Sequence, residues 1–244
     1  MLLDELKGRG REDIPDSAYS PQAMVLTGMR RGYFLRANIW PAEQDHAYRA
    51  SGPAAFAYDV PHDHNFSFLT LGYFGPGYRS DYWEYDYETV AGYPGEKAGL
   101  RFVESSALDP GKIMLYRAHR DVHSQAPPQS LSVSLNVMAT DPAQGWFDQY
   151  RFDPASDTIV GAISPNSTEA FLRIAVALGG EQALDLAERF GRSHPSDRLR
   201  LACFEARAAL VEASAADAVW REAELSGSRL LEAEAPRRRQ ALER

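Results

Sequence analysis

Near residue 165 the chain changes texture, and one layer of secondary structure cannot serve both halves. Before that point Gly, Pro, Tyr, Phe and Trp punctuate short runs in which apolar and polar residues alternate; beyond it Ala, Leu, Glu and Arg recur at helical spacing. Alternation with a period of two marks strands and a 3.6-residue repeat marks helices. The expected architecture is therefore a mainly β domain over residues 1–164, followed by a helical domain over 165–244 that forms a bundle or cap.

Within the first part, "AMVLTGMRRGYFLRANIW" (23–40) predicts two strands around a turn at Arg30, Arg31 and Gly32. Residues 66–74 and 78–90 flank Gly75, Pro76 and Gly77, which suit a hairpin turn. "LRFVESSALDPGKIMLYR" predicts two more strands around Asp109, Pro110 and Gly111. In "SLSVSLNVM", Leu131, Val133, Leu135 and Val137 share one face and Ser132, Ser134 and Asn136 the other, and one of those faces must be core. Leu69 and Leu71 oppose Phe68 and Thr70, so both faces of that strand call for cover.

Four helices are expected afterwards. "SPNSTEAFLRIAVALGG" opens on Ser and Asn caps and stops at Gly179 and Gly180, and "EQALDLAERFG" closes on Gly191. The third starts at Pro195 and aligns Leu199, Cys203, Ala206 and Leu210; the last, 216–234, is halted by Pro236. The third segment resembles a single HEAT-type helical repeat. The closing "APRRRQALER" reads as a solvated, frayed end.

Composition narrows the function classes. A net charge of −8 and a pI near 5.3 oppose a nucleic-acid surface spread over the protein, because phosphate binding needs clustered Lys and Arg. The single cysteine, Cys203, cannot build a disulfide framework or a Cys-rich zinc module and fits a reducing compartment. No run of apolar residues suits a signal segment or a membrane span. A cytoplasmic protein acting on a small molecule, without nucleic-acid or membrane partners, is expected.

The most informative stretch is "VPHDHNF", read as a strand in which His62 and His64 project from one face and Asp63 from the other. Two imidazoles at that spacing can converge on one ion. About 60 residues on, "DPGKIMLYRAHRDVHSQAPPQSLSVSLNV" predicts a strand, then His119 and His123, a polar loop and another strand, so four of the six histidines fall into two pairs, each attached to a predicted strand.

The order of these pieces resembles the cupin superfamily, whose first motif is H-x-H and whose second is a Gly-led strand ending in His, followed by an Asn-containing strand. His62 and His64 match the first; Gly111, His123 and, more loosely, Asn136 match the second. The resemblance covers residues 22–140 and implies a cupin-type double-stranded β-helix, a jelly-roll barrel with a metal in its mouth. Where the family's Glu would stand, this chain has Phe68 and Leu69. The implied ligand set is therefore His62, His64 and His123, as in the cysteine-dioxygenase-like branch, with Glu84 of "DYWEYDY" as a possible fourth and His119 as an outer or surface residue.

The resemblance further implies a divalent metal, Fe(II) foremost, with Zn, Mn, Ni or Cu as alternatives. The expected activity is a non-haem iron oxygenase or dioxygenase acting on a small polar thiol or carboxylate substrate. A redox-neutral isomerase, lyase or hydrolase is one alternative; a ligand- or metal-sensing module signalling to a protein partner through its helices is another. Around the site, Tyr58, Tyr73, Tyr78, Tyr82 and Tyr116 with Arg36 and Arg117 are the recognition candidates, and Tyr82 and Arg36 are selected as catalytic. A homodimer is expected by resemblance.

Overall fold

The computed structural model describes residues 22–29, 31–164 and 166–243. Arg30 of the first expected turn, the first 21 residues of the expected barrel domain and Arg244 of the basic tail lie outside the described residues.

The alternating runs become strands whose partners are distant in sequence. β1 (Ala23–Val25), β2 (Tyr33–Trp40), β3 (Phe68–Phe74), β6 (Ile113–Tyr116) and β8 (Ser132–Ala139) form a sheet in the order β1-β2-β8-β3-β6. β4 (Arg79–Glu84), β5 (Arg101–Ala107) and β7 (Asp121–Gln125) form a second, in the order β5-β4-β7, and β9 (Tyr150–Asp153) pairs with β10 (Thr158–Ala162). The ladders of the two larger sheets are antiparallel. A short helix, α1 (His46–Ser51), and the strands β7, β9 and β10 stand where the sequence suggested only connections.

Neither Gly-rich turn closes a hairpin. Gly75–Gly77 carries the chain from β3 in the first sheet to β4 in the second, and Asp109–Gly111 carries it back from β5 to β6. These crossings lie against each other. Gly77 has φ +76°, and a Cβ there would stand 2.0 Å from the Leu108 carbonyl oxygen, so only glycine fits. The sheets meet face to face through Phe68, Tyr82, Tyr116 and Met138. Among the described residues no ladder joins the five-stranded to the three-stranded sheet, so the closed barrel implied by the cupin resemblance is not seen.

The inward face of β8 is the polar one. Ser132, Ser134 and Asn136 are buried, whereas Leu131 and Val137 are exposed. Register places Val137 beside Leu35 and Leu69, and Leu115 beyond Leu69, so the outer face of the sheet is an apolar row. Leu69 and Leu115 are exposed there. Inside, Trp40 Nε1–H donates to Ser134 Oγ at 3.0 Å, which satisfies both groups away from water.

The described residues divide into two compact units, one ending at Val160 and one running from Gly161 with the loop Ala91–Glu96 attached. The second unit holds five helices: α2 (Ser167–Ala177), α3 (Glu181–Ser193), α4 (Asp197–Ala208), α5 (Ala213–Glu224) and α6 (Arg229–Leu242). Asn166 caps α2 by accepting from Thr168 N–H, and Ser196 caps α4 by accepting from Leu199 N–H.

Several expectations fail here for physical reasons. Gly191 lies inside α3 rather than ending it, buried where α3 packs against Cys203 and Phe204 of α4. The expected helix 216–234 is two helices, since Gly227 turns the chain at φ +73° and Ser228 recaps it. Pro236 sits within α6, where burial of Leu231 and Ala235 against Phe204 and Trp220 outweighs the ladder bond that proline removes. The basic end is not frayed: Arg237, Arg238 and Arg239 pair with Glu234, Glu205 and Asp217. Leu210 lies past the end of α4 and is exposed, while Leu199, Cys203 and Ala206 form the buried stripe.

Candidate metal centre

"VPHDHNF" lacks a continuous ladder. Within it only His62 forms bridges, to His123 on one side and Arg151 on the other. His62 N–H donates to the His123 carbonyl at 3.0 Å and His123 N–H returns a bond to the His62 carbonyl at 2.9 Å. This two-bond bridge sets the two residues directly opposite, which is how side chains about 60 positions apart come together. His64 follows two residues on and joins the same side. The ring centroids lie 4.6 Å (His62–His123), 4.8 Å (His62–His64) and 5.1 Å (His64–His123) apart.

One nitrogen from each of the three rings lies within 4.8 Å of the others, and all three residues are buried. His64 Nε2 and His123 Nε2 are 2.9 Å apart, close enough for one ring to donate to the other or for both lone pairs to address a common cation. His62 Nδ1 lies 2.7 Å from the Val60 carbonyl oxygen and must donate to it, which leaves Nε2 as the unprotonated nitrogen. Burial lowers the pKa of His62; it drives those of His64 and His123 well below the ordinary range, with the neighbouring imidazoles adding to the effect. All three rings are thus held neutral, the form that ligates a metal. The donor set fits a divalent ion.

Asp63 points the other way and is fully buried. It accepts from Tyr85 O–H at 2.5 Å and from Tyr150 N–H at 2.6 Å, so it pins the His62–His64 stretch to β9 and to the chain beyond β4. Burial pushes its carboxyl up to about 7 despite those two bonds.

The histidines border a chamber of about 260 Å³ whose wall includes Arg36, Asn38, Gln125, Asn136, Phe68 and Tyr78. Arg36 therefore lies where the sequence suggested, and its charge contributes to the lowered pKa of His64. Tyr82 stacks on His123 at a centroid distance of 6.4 Å, but its hydroxyl meets Tyr116 Oη at 3.0 Å and it lines a separate cleft between the sheets. Tyr82 is not among the residues that line the chamber.

Glu84 is not part of the cluster. Glu84 pairs with Asp121 in the regular β4–β7 ladder, and its carboxylate is held by Arg117 at 2.5 Å, Arg120 at 3.1 Å and Arg101 at 3.7 Å. His119 packs between Tyr87 and Phe147, and its backbone N–H supports the His64 carbonyl at 2.8 Å. Of the remaining candidates, Tyr58 O–H donates to the Pro41 carbonyl, Tyr73 is exposed, Arg117 pairs with Asp121, and Tyr116 packs beside His123.

Asn38 and Gln125 carried no sequence motif of their own. Strand alternation would have found them: Asn38 is two residues from Arg36 on β2, and Gln125 two from His123 on β7, each on the same inward face.

No known family's sequence profile matches this chain, and no curated protein matches it. Several solved structures overlap it in part. The DMSP lyase DddQ from Ruegeria pomeroyi aligns with a TM-score of 0.28 and 11% identity, over 49% of this chain and 47% of that one. The hydroquinone 1,2-dioxygenase PnpCD in complex with Cd2+ and 4-hydroxybenzonitrile gives 0.31 and 12%, over 53% and 70%. A Cupin 2 conserved barrel domain protein from Salinispora arenicola gives 0.28 and 9%, over 50% and 76%. The chain spans about half the length of DddQ. No helix among the described residues is long and apolar enough to cross a membrane.

Proposed function

We propose that this chain is a metal-dependent enzyme of cupin type in which His62, His64 and His123 hold a divalent ion, iron(II) foremost, and that it acts as a non-haem iron oxygenase on a small polar substrate. The observation that carries this reading is the convergence of three buried, neutral imidazoles beside a polar chamber. One cation between the rings would use the lone pairs that the cluster brings together. Bound iron(II) would supply dioxygen activation there, and Zn, Mn, Ni or Cu would supply Lewis-acid polarisation instead.

The chain's own groups define the rest. Val60 fixes the His62 tautomer, while Asp63 and the His119 N–H hold the backbone on either side of His64. Phe66 and Phe68 pack against His64 at 4.8 and 5.0 Å and keep water from its ring. Arg36 presents a guanidinium to the chamber, suited to a carboxylate or another anionic group.

The test is metal analysis of freshly purified protein, followed by melting curves and oxygen uptake across small thiols and carboxylates. Supplying iron(II) at a hundredfold excess over Kd should stabilise the wild type by about 2.7 kcal/mol, a rise of roughly 5–11 °C, and His64→Ala should abolish that rise. Zinc with no oxygen uptake would move the reading to redox-neutral chemistry. A wild type that gains no stability from any of these ions would end it.

A further inference from the structure

Three amide side chains line the chamber beside the histidines: Asn38 from β2, Asn136 from β8 and Gln125 from β7. They are 6%, 2% and 2% exposed, yet Asn38 Oδ1, Asn136 Nδ2 and Gln125 Oε1 have no hydrogen-bond partner in the protein. Buried amides are ordinarily satisfied, so three chamber-lining residues that each carry an unmet atom mark a wall shaped for something else. Two of them accept and one donates.

We infer that these amides bind the hydroxyl groups of the substrate, and that the substrate is a small polyhydroxy compound, a polyol or a hydroxy acid. A hydroxyl donates and accepts at once, so it meets all three atoms whichever way each amide is turned; a carboxylate or thiolate only accepts and leaves the two carbonyl oxygens unmet. Position supports the same class. Gln125 lies two residues from the ligand His123 on one face of β7, and Asn136 is the register partner of Arg36, so the amides adjoin both the imidazoles and the guanidinium. The chamber, about 260 Å³, is smaller than the roughly 300–1,000 Å³ of sites for drug-sized ligands, which limits the occupant to a compact molecule. Calling that molecule the substrate rests on the proposed metal enzyme; the hydroxyl-binding wall does not.

The experiment uses the full chain loaded with zinc, which is redox-silent, and measures binding by calorimetry of L-lactate against propionate and of glycerol against 1-propanol. Each hydroxylated probe should bind at least about tenfold more tightly than its deoxy counterpart, the effect of one well-made hydrogen bond in a buried site. Asn136→Leu and Gln125→Met should each cut that preference to within about threefold. Equal binding of lactate and propionate together with equal binding of glycerol and propanol overturns the inference without recourse to any variant. So does a crystal structure soaked in both hydroxylated probes in which only ordered water bridges the three amides. Comparison of the two pairs separates a hydroxy acid from a polyol. Metal uptake without hydroxyl preference removes this inference and leaves the metal enzyme standing; hydroxyl preference without metal uptake does the reverse.

Discussion

Replacing Asp63 by asparagine should make the protein more stable than the wild type above neutral pH. The carboxyl lies between two proposed ligands, fully buried, and accepts from Tyr85 O–H and Tyr150 N–H. Its pKa is raised from 3.8 to about 7, chiefly by burial. An acid whose pKa is higher folded than unfolded contributes stability that is complete below the unfolded value and disappears as pH rises through the folded one. At 1.36 kcal/mol per pH unit, the span between 3.8 and about 7 corresponds to about 4 kcal/mol lost between pH 4 and pH 8. Asparagine keeps the oxygen that accepts from Tyr150 N–H and cannot ionise. Urea unfolding of both proteins in chelator, at pH 4.5 and pH 8, isolates this change in the metal-free state. The difference between variant and wild type should move in favour of the variant by about 3–4 kcal/mol across that interval. A difference that stays constant within about 0.5 kcal/mol would refute the buried-carboxyl reasoning.

Two further outcomes follow from the geometry. Glu84→Gln should leave metal affinity within about twofold of wild type by calorimetry, because that carboxylate is engaged by Arg117, Arg120 and Arg101 rather than by the histidine centre; a loss above tenfold would restore it to the ligand set. Gly77→Ala should cost at least about 2 kcal/mol in urea unfolding, since the residue has φ +76° and a Cβ would stand 2.0 Å from the Leu108 carbonyl oxygen; a change below about 0.5 kcal/mol would show that the sheet crossing relaxes easily.

What could be read from the sequence was chemistry at fixed spacing; what could not was decided by partners far along the chain. His62, His64 and His123 were readable because strand alternation puts the first two on one side and only a few residue types ligate metals. Their meeting depends on a two-bond bridge between positions 62 and 123, which no local pattern encodes. Glu84 shows the converse. Proximity along the next strand suggested a ligand, but three guanidinium groups decide where that carboxylate sits. Turn residues at Gly75–Gly77 specified the bend correctly and the strand partner wrongly, because a turn constrains only its own dihedrals.

The inverted face of β8 follows from the same distinction. Alternation tells which residues share a side, and the hydrophobic effect then favours the apolar side as core, which holds when the interior is to be dry. Here the interior is a chamber, so Ser134 meets Trp40, Asn136 faces the space beside Arg36, and Leu131 and Val137 are turned outward. Asn38 and Gln125 become readable only once that inversion is known, since they then fall on the inward period-two positions next to Arg36 and His123. A β protein whose polar face is the buried one has given up apolar burial along that wall, and the unmet amide atoms there indicate that a polar ligand supplies what the missing packing does not.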